Sequence, residues 1–259
     1  MLKNKVSTAY TLLRDGGIKN LYDYSRVRLQ VLVKEHRKQV RLDGCLFSLE
    51  GITNDSIRVE LFTNKYEAPE RHAIVRYLKR DKPVIELGGS MGVVACVTNK
   101  LLTDPTAHVV VEANPLAIPQ LEQNRKLNSC KFAIVNRAIA YGADSVTFRP
   151  SSDLAGSSIT RAGDQAPVTV PAVQLRELVH DRGFKSFTLV CDIEGLEYDL
   201  VCQEADVLKN ADTIIMETHA RYTGAEKLSD MMTRLKGLGF NLVEEIGFVV
   251  VLRQVQNVA

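Results

Sequence analysis

From Pro83 onward the chain alternates short apolar runs with longer helical stretches, and this rhythm narrows the fold more than any other feature. Val84–Leu87, His108–Glu112, Phe132–Val135, Phe187–Asp192 and Thr213–Glu217 read as strands buried on both faces, where no polar alternation is needed. Between them, Met91–Leu102, Leu116–Leu127, Val173–Arg182, Leu196–Leu208 and Ala225–Leu238 read as helices. Alternation of this kind predicts an α/β fold built on a doubly wound, mostly parallel sheet. The ending differs: Asn241–Ile246, Gly247 and Phe248–Arg253 read as an antiparallel hairpin, which brings the sheet to seven strands.

Upstream, residues 67–80 read as a helix with Pro69 in its first turn. Residues 1–66 read as an N-terminal extension, and 67–259 as the main domain. The extension holds an amphipathic helix at 18–36, entered through Gly16-Gly17, and two strand-like segments around Val40–Leu49 and Ser56–Phe62. Net charge is only +2, which argues against a dedicated nucleic-acid binder. It is unevenly spread: residues 1–41 carry ten Lys/Arg against three Asp/Glu. Such a basic helix can lie on an anionic membrane surface, or pack on the domain or on a second subunit. No apolar run exceeds five residues, whereas a spanning helix needs about 20. Five cysteines, odd in number and without a CxxC, fit buried thiols in a reducing cytoplasm better than disulfides or a zinc site. The expected location is the cytoplasm, with contact at the inner face of the membrane if the helix docks there.

The chemistry gathers at the ends of the strands. The first runs into Glu86-Leu87-Gly88-Gly89-Ser90-Met91-Gly92, where glycines let the backbone turn sharply and approach a ligand closely. The second ends in Glu112-Ala113-Asn114-Pro115, and a carboxylate 20 residues after Gly92 can accept both hydroxyls of a ribose. Glu86, ahead of the first glycine, would repel a pyrophosphate but suits the cationic groups of S-adenosylmethionine (SAM). Together with the terminal hairpin, that spacing disfavours an NAD-dependent dehydrogenase. The later strands end in Asp192-Ile193-Glu194-Gly195 and Glu217-Thr218-His219, which places these acids and the histidine at the ligand-binding edge of the sheet.

The successive runs IELGGSMG, VEANP, NRAIA, CDIEGLE and METH, spread over about residues 67–254, resemble the FkbM-type SAM-dependent methyltransferases. The resemblance implies a Rossmann-like class I methyltransferase fold, SAM as cofactor, and O-methylation of a hydroxyl on a sugar, glycan or glycosylated metabolite, as in polysaccharide biosynthesis. Glu86, Gly88 and Gly92 match its first SAM motif, with Gly89 and Ser90 at its cofactor-binding positions between them. Glu112 and Asn114 fall in its ribose-binding segment, and Asn136 and Ala138 where its third strand approaches the adenine. Ser157 and Ser158 resemble a serine pair in the family's loop. The family usually has Asp for Glu86, Ala-Asn for Gly89-Ser90, and Lys at the position of Val190.

On this reading His219 is the base, Asp192 assists it while also lying against the cofactor, and Glu217 completes the catalytic set. Glu194, Ser157 and Ser158 face the acceptor, the serines within a polar Gly/Ser-rich loop at 150–167 expected to act as a lid. A metal-assisted alternative gathers Mg²⁺ on Asp192, Glu217 and His219. A non-catalytic SAM-binding scaffold is another. The expected partners are a small-molecule or glycan acceptor and a second copy of the chain, with no nucleic acid.

Overall fold

A computed structural model describes residues 37–151 and 163–255; the helix expected at 18–36 and the Ser157-Ser158 pair lie outside them. The described chain forms two compact units, one of residues 37–40 and 49–66, the other of residues 41–48 and 67–255. The expected strand around Val40–Leu49 is two strands, β1 (Gln39–Leu42) and β2 (Cys45–Ser48), parted where Asp43 and Gly44 turn back through positive φ.

The strand expected at Ser56–Phe62 is instead a helix, α1 (Asp55–Phe62). Alternating Ile57, Val59 and Leu61 suggested a strand, yet Ile57 and Leu61 also stand four apart and are the two that are buried. Asn54 decides the matter: its side-chain oxygen accepts hydrogen bonds from the Ser56 and Ile57 amides and caps the helix.

In the larger unit, α2 (Ala68–Tyr77) leads into the expected alternation. It runs β3 (Val84–Leu87), α3 (Val93–Leu101), β4 (His108–Val111), α4 (Ile118–Leu127) and β5 (Ala133–Val135). After an excursion follow α5 (Leu175–Arg182), β9 (Phe187–Cys191), α6 (Glu197–Gln203), α7 (Ala205–Leu208) and β10 (Ala211–Glu217). Then come α8 (Ala220–Thr223), α9 (Ala225–Gly237), β11 (Phe240–Ile246) and β12 (Val249–Gln254). The seven-stranded sheet has the order β11-β12-β10-β9-β3-β4-β5. Strands β5, β4, β3, β9 and β10 run parallel, while β12 inserts antiparallel between β10 and β11. This is the doubly wound α/β fold with a terminal hairpin that the alternation required. The excursion, β6 (Ala138–Ile139), β7 (Ser145–Phe148) and β8 (Val168–Val173), forms a separate three-stranded sheet that no apolar run announced.

Side chains alternate between the faces of the main sheet. Ile85, Leu87, Val109, Val111, Leu189, Cys191, Ile214 and Met216 join residues of α5, α6, α7 and α9 in one core. Helices α2 and α3 pack together, and α2 lies against β10 and β12.

Strand β2 belongs to this unit for a specific reason. Its backbone meets a row of amides four residues apart along α4 and its cap: Gln120, Asn124 and Asn128. Gln120 donates to the Ser48 carbonyl (2.9 Å), and Asn124 accepts from the Ser48 amide (2.9 Å). Asn128 both accepts from the Leu46 amide (2.8 Å) and donates to its carbonyl (2.7 Å). Three side chains thus stand in for a neighbouring strand and satisfy backbone groups that burial would otherwise leave unpaired. Asn124, wholly buried, also donates to the Met91 carbonyl and so ties β2 to the glycine turn. Asn124→Ala leaves two buried backbone groups without partners, at about 1–3 kcal/mol each. Urea unfolding is expected to show a loss of roughly 2–4 kcal/mol; a midpoint equal to that of the parent protein would contradict this role.

Candidate functional site

The site is built where β3 and β9 end side by side. The Asp192 amide donates to the Leu87 carbonyl at 2.9 Å, and the next residue on β3 is Gly88. A side chain there would collide with the Asp192 carbonyl oxygen, and Gly88 also holds φ +90°. Only glycine lets these two strand ends meet. At Gly92, φ is +82° and a Cβ would strike Leu121.

Glu112, at the end of β4, closes the turn. Its two carboxylate oxygens accept the amides of Ser90 and Asn114, each at 2.6 Å. With Ala113 as a further backbone partner, three of its roughly four acceptor sites are taken, which leaves room for a hydroxyl. Burial raises its pKa, and the backbone hydrogen bonds oppose that rise. Asn136 fixes the same segment by donating to the carbonyls of Glu112 (2.7 Å) and Ala113 (3.3 Å). Asn114 is buried, and its side-chain oxygen accepts the Leu116 amide. Ala138 is wholly buried in β6 among Phe148 and Val170, so it presents no surface to a ligand.

Glu86 also departs from expectation. Its carboxyl lies 3.4 Å from His108 Nε2, and both side chains are buried. Burial pushes Glu86 up to about 8 and His108 down to about 3, so near neutral pH the pair is predominantly uncharged. A carboxyl with a raised folded pKa stabilises the fold fully below its unfolded value, about 4.5, and loses that contribution as pH rises toward about 8. His108 is neutral in both folded and unfolded states above its unfolded value of 6.5. Between pH 6.5 and 8 the melting temperature of the parent should therefore fall more than that of Glu86→Gln. Parallel curves over that range would refute a neutral Glu86.

The second half of the site surrounds His219, whose side chain is 1% exposed. Its Nδ1 is 2.9 Å from Glu197 Oε1. Its Nε2 faces Glu194 at 3.4 Å, Asp192 at 3.7 Å and Glu217 at 3.9 Å. Burial alone would lower the pKa of this ring, but the Glu197 hydrogen bond and the charges of Glu197, Glu217 and Glu194 outweigh it, and the net shift is upward. Asp192 is raised well above the carboxylate range by burial and then by Glu217, Glu194, Glu67 and Glu70. Glu217 is raised as well, chiefly by burial.

Glu197 was not singled out from the sequence, where it reads as a first-turn helix acid. It is the organiser of this half. Besides holding His219, it accepts the amides of Ile193 (3.2 Å) and Gly195 (3.1 Å). That grip keeps Glu194 in a left-handed conformation, φ 52°. Glu67 (φ 47°) and Ser90 (φ 44°), both at this edge of the sheet, are left-handed too. Non-glycine residues in such conformations cost about 1–3 kcal/mol and cluster where function holds them. Glu70 was also missed. It is buried on α2, hydrogen-bonded to Glu217 and raised to about 7, first by burial.

Asp192, Glu197 and His219 offer ligand atoms within 4.8 Å of one another, so a cation can be held here. The structure therefore brings Asp192, Glu194, Glu217 and His219 together, and sets Gly88, Gly89, Ser90, Gly92, Glu112 and Asn136 in the adjoining turns. No helix among the described residues is long and apolar enough to cross a membrane. The described cysteines are free, with Cys45, Cys96 and Cys191 buried.

No protein-family model matches the sequence, and no curated protein matches it. Solved structures share its chain path loosely. A ribosomal protein L11 methylase from Lactobacillus delbrueckii subsp. bulgaricus superposes with a TM-score of 0.42 at 13% identity, over 73% of this chain and 78% of that one. Aeropyrum pernix fibrillarin, solved with natively bound SAM, gives 0.45 at 10% identity, over 72% and 74%. A precorrin-6y C5,15-methyltransferase from Geobacter metallireducens GS-15 gives 0.42 at 11% identity, over 80% and 90%.

The raised pKa of His219 is testable without any ligand. By NMR, its ring should titrate above 6.5, and Glu197→Gln should bring the midpoint down by removing the charge at Nδ1. A midpoint unmoved by the substitution would separate Glu197 from the histidine.

Proposed function

We propose that the chain is a SAM-dependent methyltransferase that methylates a hydroxyl, and that its acceptor is a sugar or glycan, in keeping with the FkbM-type resemblance. One observation carries the reading: a glycine turn, a ribose-competent acid at the next strand end, and an Asp–Glu–His cluster share one edge of the sheet. The residues fit the cofactor on two counts. Glu112 ends β4 beside the glycine turn with its carboxylate tied to the Ser90 amide, and Asp192 Oδ1 is buried without a hydrogen-bond partner, as suits a cationic ligand.

Bound there, SAM supplies an electrophilic methyl group on a sulfonium. Glu112 would hold the ribose, with Asn136 keeping its turn in place. Asp192 and Glu217 would set acidic groups beside the positive ligand. His219 is positioned to take the acceptor proton at Nε2, because Glu197 fixes the tautomer that carries hydrogen on Nδ1. Since the ring titrates high, the rate should climb with pH above 6.5 rather than level off there. Two exposed aromatics support a sugar acceptor. Tyr222 lies parallel to the His219 ring at 6.0 Å, and Phe248 is fixed beside Thr218 through its carbonyl. Such rings offer flat apolar faces next to carboxylates that accept hydroxyl donors.

A second reading rests on the acids facing His219 Nε2, Asp192 at 3.7 Å and Glu217 at 3.9 Å: these two and His219 would hold Mg²⁺, which would polarise the acceptor oxygen. Glu197, already engaged with backbone amides, would orient the histidine. Methyl transfer from labelled SAM to a glycan extract tests the reading. Glu112→Ala should weaken SAM binding at least about tenfold by titration calorimetry. His219→Ala should slow transfer by about 10²–10⁴-fold with SAM affinity nearly intact. EDTA should abolish turnover only if the metal reading holds. Full activity of His219→Ala, with or without Mg²⁺, would defeat both versions.

A further inference from the structure

A cavity opens between α2 and the ends of β3, β9 and β10, lined by Glu67, Glu70, Glu86, Asp192 and Glu217 with the backbone of Gly88 and Gly89. Among the described residues five carboxyl groups line it, and no lysine, arginine or histidine does. Three of these acids hold a buried oxygen without a hydrogen-bond partner: Glu70, Asp192 and Glu86, the last facing His108. Glu70 is 8% exposed, and its Oε2 has no hydrogen-bond partner; Asp192 Oδ1, across the cavity, has none either. Arg71, the cation next to Glu70 in sequence, is wholly buried and paired with Asp43, and its charge opposes only in part the rise that burial imposes on Glu70.

Two buried carboxylate oxygens without partners are costly unless a ligand completes them. A group that completes both oxygens has to donate hydrogen bonds, and a positive one also offsets the crowded acids that raise Glu70 and Asp192. A sulfonium is positive but has no N–H to give. An ammonium group is positive and has three donors. Helix α2 has no motif role in the sequence reading, yet Pro69 at its start and the left-handed Glu67 before it set the turn that carries Glu70 into the cavity.

We propose that Glu70 recognises the α-ammonium group of the cofactor's amino-acid arm, with Asp192 on its other side. This rests on the SAM-dependent reading above. It makes α2, outside every segment that carries the family resemblance, part of the cofactor site. It also assigns the carboxylates different tasks: Glu112 the ribose, Glu70 and Asp192 the ammonium.

Three ligands separate the contributions. SAM carries both the ammonium and the sulfonium, S-adenosylhomocysteine the ammonium alone, and methylthioadenosine neither. Titration calorimetry on the full chain is expected to show that Glu70→Gln loses about tenfold or more in affinity for the first two ligands and less than about twofold for the third. Thermal melts without ligand confirm that the variant is folded. Should Glu70→Gln fail to fold, Glu70→Asp keeps the charge but withdraws it by one methylene, and the same pattern is expected with a smaller loss. Equal losses for all three ligands, no loss for any, or a loss confined to SAM would each overturn the ammonium assignment. If the parent protein binds none of the three, the SAM-dependent reading itself falls; if it binds them and only the variant's pattern fails, that reading stands and Glu70 is released from it.

Discussion

The close approach of β3 and β9 at Gly88 and Asp192 is the constraint on which the rest of the site depends. Parallel strands pair evenly along their length, but here the pairing continues one residue past β3, into a turn whose backbone abuts the Asp192 carbonyl. Any side chain at Gly88 would push the strand ends apart. With them together, Asp192 stands beside the glycine turn, and Glu217 follows on the adjoining strand. The acids that make up the site are therefore neighbours because the sheet is parallel and its strands end level.

Gathering so many acids at one edge is expensive, and the structure offsets the cost in three ways. Glu86 is neutral below about 8 and faces a neutral histidine. Glu112 and Glu197 each take backbone amides as partners, which stabilises charge without a basic side chain. His219 answers part of the remainder, since the surrounding carboxylates outweigh its burial and raise its pKa. A positive charge entering this region would oppose those carboxylates and lower it again.

The amide row on α4 serves the same site from behind. Asn124 bonds β2 on one side and the Met91 carbonyl of the glycine turn on the other. Leu121, between Gln120 and Asn124 on that helix, packs where Gly92 leaves room. The turn is thus held by Glu112 from the next strand and by α4 beneath it.

Much of this was legible in the chain itself. Wholly apolar runs of four or five residues, spaced by helices, determine a parallel sheet covered on both faces, and the terminal hairpin follows from Gly247 between two apolar segments. The motif acids and glycines could be placed because strands in such a sheet end along one edge. Local pattern misled at Ser56–Phe62, where a capping asparagine outweighed alternation. It gave no sign of β6–β8, whose strands are short or mixed in polarity. Only the tertiary structure decided which acids are raised out of the ordinary carboxylate range, because that depends on burial and on neighbours far away in sequence: burial for Glu86, and burial with Glu217 beside it for Glu70. It alone brought Glu70 to the ends of β3, β9 and β10 and turned three amides of a helix into the partner of a strand. Sequence determines periodicity, since that is a property of neighbouring residues, whereas burial and charge state belong to contacts that exist only once the sheet has closed.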